Sequence, residues 1–150
     1  MKLHRQLNPT AAVLALLLVA TITLTPITAS AQNAKGAPPI TISQLAGPWQ
    51  VAVVGNTGCG ISSLLFTGTL NSSGVATGTL IGNSGCGPSS NTETFAINSL
   101  NANGSGTAGL TCGAGCGWTF NIQVNPTRQV MNLVDVTDPS NYLAGTAVKQ

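Results

Sequence analysis

Residues 118–124 read Trp-Thr-Phe-Asn-Ile-Gln-Val. Apolar side chains stand at every second position, and Thr119, Asn121 and Gln123 fill the places between them. Successive side chains of a strand point to opposite faces, so this stretch predicts a β-strand with one dry and one wet face. Trp49, Val51 and Val53 repeat the alternation more weakly, as do Phe95 and Ile97.

Outward from residues 118–124 the texture is uniform. Short β-prone runs are separated by clusters of Gly, Asn, Ser and Pro, and no apolar pattern at helical spacing follows the N-terminal leader. Strands are predicted at Trp49–Val54, Ser62–Leu70, Val75–Ile81, Thr92–Leu100, Gly104–Thr111, Trp118–Val124, Arg128–Val136 and Asn141–Val148. The linkers Asn71-Ser72-Ser73-Gly74, Asn101-Ala102-Asn103-Gly104 and Asn125-Pro126-Thr127 are short and turn-like. Asn and Gly tolerate the positive φ of tight hairpins, and Pro cannot continue a ladder. Regular short strands with turn signals predict an all-β fold, an eight-stranded antiparallel up-and-down barrel, with a β-sandwich as the alternative.

An internal repeat lies inside this pattern. Residues 69–87, TLNSSGVATGTLIGNSGCG, align with 99–117, SLNANGSGTAGLTCGAGCG, and both end on Gly-Cys-Gly. The same triplet occurs at Gly58-Cys59-Gly60. In a meander, Cys59 follows the first strand, Cys86 the third, and Cys112 and Cys116 flank the connection after the fifth. All four sulfurs then gather at one end. Three pairings are open to four cysteines; neighbouring loops favour Cys59–Cys86 with Cys112–Cys116. The first would close a ring of roughly 28 residues, worth about 3.5 kcal/mol, and the second a ring of about five, worth about 2 kcal/mol. A zinc site is the competing use of four cysteines, weakened because the single His, His4, lies in the leader.

Residues 1–31 have the make-up of a signal peptide. Lys2, His4 and Arg5 form a positive n-region, Ala11–Leu24 is apolar, and Ala29-Ser30-Ala31 fits a small-x-small cleavage site. A transmembrane anchor is the competing reading, and the short run with small residues directly after it favours removal. Residues 32–46, with Gly36, Pro38 and Pro39, read as a linker, and 47–150 as a single barrel domain. Secretion or periplasmic export follows, and it suits the reading of the cysteines as disulfides.

Charge narrows the function classes. The whole chain has five Lys and Arg against three Asp and Glu, a net charge of +2. Without the leader, Lys35, Arg128 and Lys149 face Glu93, Asp135 and Asp138, three against three. A neutral chain with three cations has no electrostatic footprint for nucleic acid. Membrane insertion as a β-barrel is disfavoured by short strands and by only six aromatics (Trp 2, Tyr 1, Phe 3), too few for two girdles. Without His beyond the leader, no Ser-His or Cys-His nucleophile can be built. Glu93 and the two aspartates show no reason to converge as a carboxylate pair. Asp135, Asp138 and Asn141 read as solvated rim groups rather than a Ca²⁺ site, so no metal and no cofactor is expected.

A family resemblance enters at Leu45-Ala46-Gly47-Pro48-Trp49, where a G-x-W opens the first strand. Followed by an eight-strand meander, it resembles the calycin superfamily of lipocalins and avidins. Phe66-Thr67-Gly68-Thr69 and Gly117-Trp118-Thr119 are similar to avidin strands. The chain departs from that pattern in having only two Trp and Ile122 where a further Trp would stand, so no biotin site is implied. Asn125-Pro126-Thr127 likewise replaces a T-D-Y-like turn. The resemblance implies a cation packed on the G-x-W indole, and Arg128 and Lys149 both fall at the closed end with Trp49.

These readings converge on a non-enzymatic, secreted binding protein holding a small apolar ligand in a barrel cavity. Gly68, Gly78, Gly106, Ala108 and Ala144 would leave room if they face inward, beside Phe66, Phe95, Trp118, Phe120 and Tyr142. The alternative is a structural or surface-interaction module with a filled core and no small ligand. Oligomeric state is not specified by the sequence.

Overall fold

The computed structural model describes residues 38–113, 115–140 and 142–150. The expected signal peptide at 1–31 and the first part of the expected linker, 32–37, lie outside the described residues. A 3₁₀ helix, Ile42–Leu45, precedes eight strands: β1 (Gly47–Asn56), β2 (Ile61–Leu70), β3 (Val75–Ser84), β4 (Gly87–Leu100), β5 (Ser105–Thr111), β6 (Gly117–Val124), β7 (Val130–Asp135) and β8 (Tyr142–Lys149). Each pairs antiparallel with its neighbour, and β8 pairs with β1, so the sheet closes as an up-and-down barrel and not as a sandwich.

All eight predicted strands are present. The β3–β4 hairpin is longer than its composition suggests. Its Gly-, Asn-, Ser- and Pro-rich stretch continues the ladder through Asn83↔Pro88 and Ser84↔Gly87. Ladder bonds join main-chain groups, so pairing overrides weak side-chain propensity there.

The interior follows the period of two. In β6 Trp118, Phe120, Ile122 and Val124 are buried while Gly117, Thr119, Asn121 and Gln123 are exposed. Phe66, Phe95, Leu110, Met131 and Leu133 join them in one core. Each such side chain contributes about 1.5–3 kcal/mol through the apolar area it removes from water. Gly68 and Gly78 do face inward, but they do not leave a void. A Cβ at Gly68 would lie 2.8 Å from Cε1 and Cζ of Phe66, and one at Gly78 2.9 Å from Cζ. The Phe66 ring therefore lies over this paired glycine couple and fills the space. It meets the Phe95 ring at a centroid distance of 6.0 Å. Ala108 is inward, whereas Ala144 faces solvent.

From Ile40 onward the expected linker belongs to the barrel. Ile40 N–H donates to Ala102 O at 3.0 Å, and Ile40 and Leu45 are buried in the core. Trp49 Nε1 donates to Leu45 O at 2.7 Å, so the 3₁₀ helix caps the indole. The cations do not pack as the resemblance implied: among the described residues, no cation lies over that ring. Arg128 Nε donates to Gln44 Oε1 at 2.9 Å, and Lys149 Nζ to Gln44 O at 3.4 Å. The Lys149 stem lies over Gly47, where an added Cβ would come within 2.8 Å of its Cε. The Gln44 oxygens offer the cations hydrogen bonds, and the 3₁₀ helix already covers the indole.

The repeat appears as matching turns. Gly74 N–H donates to Asn71 O at 3.0 Å and Gly104 N–H to Asn101 O at 2.9 Å, with φ of 82° and 86°. The β6–β7 turn has the same form, Arg128 N–H to Asn125 O at 2.9 Å, but places Arg128 at φ 61°.

Candidate functional site

The up-and-down order puts the loops after β1, β3, β5 and β7 at one end, opposite the 3₁₀ helix. Two disulfides brace that mouth. Cys59–Cys86 joins the first two loops at a Cα separation of 5.4 Å, and Cys112–Cys116 closes the third at 5.1 Å. These are the expected pairings, and no described cysteine is free. Gly58 and Gly60 bracket Cys59 at φ 82° and 78°, a backbone that only glycine takes at little cost.

Between these loops opens a pocket of about 170 Å³, lined by Thr57, Cys59, Leu64, Ser84, Ser89, Cys116 and Trp118 among others. Its floor is Trp118, the first inward residue of β6 and 9% exposed. A larger cleft of about 580 Å³ lies at the opposite end between Pro38, Pro39, Ile40, Ala102, Asn103 and Pro126. It is built of the segment before the 3₁₀ helix and two hairpin turns, and none of these residues is titratable.

The predicted cavity residues divide. Phe66, Phe95 and Phe120 are inward and fully buried as packing, below the mouth. Trp118 alone of the five borders the mouth pocket. Tyr142 is 63% exposed and faces outward, which corrects its place among cavity-lining residues. Leu143, Gly145 and Ala147 take the inner positions of β8. Tyr142 and Leu143 are adjacent, so hydrophobicity alone left the parity of this strand undetermined.

Two acids take inward positions toward this end of the barrel, and neither lines the pocket. Glu93 is 7% exposed and faces inward with Phe95 and Ile97. It is the last buried inward residue of β4 on the side where the strand runs out to the mouth. Thr111 Oγ1 accepts the Thr94 N–H at 2.8 Å and donates to Glu93 Oε2. Asp135, expected as a solvated rim acid, alternates instead with buried Met131 and Leu133 on the inner face of β7 and is half-buried. Its Oδ1 accepts Thr137 N–H at 2.8 Å and Thr137 Oγ1–H at 2.6 Å, while Oδ2 is buried without a hydrogen-bond partner. The signal for Glu93 was its parity with Phe95; for Asp135 it was its parity with Leu133.

Charge is segregated along the barrel. Glu93, Asp135 and Asp138 all lie toward the disulfide end, and the described cations Arg128 and Lys149 lie at the capped end. Asp138, fully exposed, is held below the usual carboxylate range by the Ser140 N–H and then the Ser140 hydroxyl, each donating at 2.7 Å. Among the described residues no group of three or more His, Cys, Asp or Glu is placed to hold a metal ion. No helix among them is long and apolar enough to cross a membrane.

No known family model matches the chain, and no curated protein aligns with it. The barrel is therefore read from its own residues, and two disulfides point to an oxidising environment.

Proposed function

We propose that this chain is a secreted or periplasmic, non-enzymatic binding protein of calycin-like architecture, holding one small ligand at the disulfide-braced mouth. The observation that carries the reading is the pocket of about 170 Å³ floored by Trp118 and walled by loops tied through Cys59–Cys86 and Cys112–Cys116. Disulfide-tied loops lower the ordering cost of binding, and an indole floor offers an apolar surface to stack on. The ring of Phe66 over Gly68 and Gly78 favours a ligand at the mouth rather than in the centre of the barrel. Titrating fatty acids, retinoids and single-ring aromatics while following Trp fluorescence tests this. Single-ring compounds bind and lose affinity in Trp118→Ala; long chains, too large for this pocket, do not bind. Failure of the whole panel rejects the reading.

A second reading, a surface-interaction module, is favoured by a different observation. Val54, Ile61, Ile81 and Val134 stand exposed on the outer wall of β7, β8, β1, β2 and β3, with Tyr142 among them. Val54 pairs with Ala144, which pairs with Val134, and Leu65 with Ile81, so the patch runs from strand to strand. The outward positions of β4–β6, by contrast, are mainly Ser, Thr, Asn and Gln. Concentration-dependent sedimentation, abolished in Val54→Lys, is the mark of this second role.

A further inference from the structure

Resting on the reading of the outer wall as an interaction surface, we propose that its partner is a second copy of this chain. Two barrels meet wall to wall across a twofold axis that passes beside Val54. Area is the first argument. Val54, Ile61, Ile81, Val134 and Tyr142 are 53% to 88% exposed. At ordinary side-chain areas they leave roughly 600 Å² in water, the top of what a lone monomer shows. With the small and polar groups between them, the wall reaches about the 800 Å² that each partner gives to a standard interface. The outward Ser, Thr, Asn and Gln of β4–β6 stay in water on the opposite wall.

Charge is the second, and it selects a copy over an unlike partner. Residues 47–84, which include all of β1, β2 and β3, contain no Asp, Glu, Lys or Arg. In β8 only Lys149 is charged, at the capped end and bonded to Gln44 O. Around a twofold axis each residue meets the same surface of its twin, so any charge near the axis would face its like. An unlike partner makes no such demand and is recognised through complementary charge. Shape is the third. Val54 lies between two small exposed residues, Ala144 on β8 and Ser63 on β2. Ile61 projects two positions from Ser63 toward the disulfide end; Leu65, paired with Ile81, lies two positions the other way. Two hollows of about 360 and about 310 Å³ adjoin there, sharing Val54, Ser63 and Asn83. The wall thus carries a knob and a hollow on either side of its centre. A twofold at Val54 sets Ile61 of one protomer into the hollow beside Leu65 and Ile81 of its partner, and repeats the contact in reverse.

The test is sedimentation of the disulfide-intact protein over a wide concentration range, with flotation on phosphatidylcholine vesicles beside it. The proposal expects a monomer–dimer equilibrium that stops at two copies and changes little with salt. Val54→Lys and Val54→Glu, at an outward side chain, each weaken it about tenfold or more. Mixing the two variants restores much of the loss, because position 54 meets its twin at the axis. Should a variant fold poorly, the stop at two copies in the unmodified protein still decides the question. Growth past the dimer, or no rescue on mixing, overturns the twofold pairing but leaves the wall as an interaction surface. A monomer that floats with the vesicles overturns the second copy in favour of a lipid surface and likewise keeps the wall. A monomer that ignores the vesicles, or a dimer indifferent to Val54→Lys, overturns both.

Discussion

The guanidinium of Arg128 donates to the side-chain carbonyl of Gln44 at 2.9 Å, joining the β6–β7 turn to the 3₁₀ helix across 84 positions of chain. The same Gln44 oxygen accepts Thr41 N–H at 3.0 Å, so one side chain ties the helix start to the barrel. Arg128 reaches it from a left-handed backbone, φ 61°, that the two sister turns give to Gly74 and Gly104. The contact and the strained backbone are therefore separable.

Substituting Arg128 separates them. Arg128→Ala keeps the unfavourable φ and loses the bond to Gln44, whereas Arg128→Gly loses the bond but relieves the backbone. The glycine variant is expected to be more stable than the alanine variant by about 1 kcal/mol in urea unfolding. Equal stabilities of the two variants would show that no backbone strain is stored at this turn.

Packing at the Phe66 ring makes a second prediction. Gly68→Ala inserts a methyl 2.8 Å from ring carbons of a fully buried side chain and is expected to cost about 1–3 kcal/mol. Phe66→Leu costs less in the Gly68→Ala background than in the native one, a coupling of about 0.5–3 kcal/mol in a double-mutant cycle. Strict additivity would mean the ring does not occupy the space above Gly68.

The disulfides differ in the loops they close. Cys59 and Cys86 are 27 positions apart and Cys112 and Cys116 only 4. Chain entropy then assigns about 3.5 kcal/mol to the first and about 2 kcal/mol to the second. Paired Cys→Ser variants measured by thermal unfolding are expected to rank in that order. The reverse ranking would locate the value of the Cys112–Cys116 bridge in the folded mouth instead.

Asp138 adds a pH-dependent contribution. Its carboxyl is held low by the Ser140 N–H and hydroxyl, so the ionised form is the one folding favours. That contribution is present above the ordinary aspartate range and disappears as pH falls through the lowered value. Ser140→Ala removes the hydroxyl and keeps the N–H. The variant is expected to be slightly less stable than the native chain at neutral pH and to match it only once the pH falls below the lowered value, well under the ordinary aspartate range. Stability curves that stay parallel throughout the acid range would remove the Ser140 hydroxyl from the account.

How much of this was legible in the sequence depends on how loudly each strand alternates. Residues 118–124 carry large apolar groups at every second place, and their strand, its faces and the inward position of Trp118 followed directly. In β8, Tyr142-Leu143-Ala144-Gly145 mixes size and polarity, so the inner face became clear only through pairing with β1. The meander placed all four sulfurs at one end and favoured the pairing of neighbouring loops, while the pairing itself came from the folded chain. Glu93 and Asp135 were hidden because a charged residue on a dry parity violates the hydrophobic pattern used to find that parity. The 3₁₀ helix cap was hidden for a different reason: four residues are too few to show a period, and burial of Leu45 depends on Trp49 of the following strand.

Pairing of β8 with β1 has one more consequence, for a chain with so few charges. An open sheet would display unpaired amides and carbonyls along its outer strands, a template on which further copies stack into fibrils. Closure leaves no such seam. Protection from runaway polymerisation here comes from geometry and does not need the like-charge repulsion that a strongly charged surface supplies.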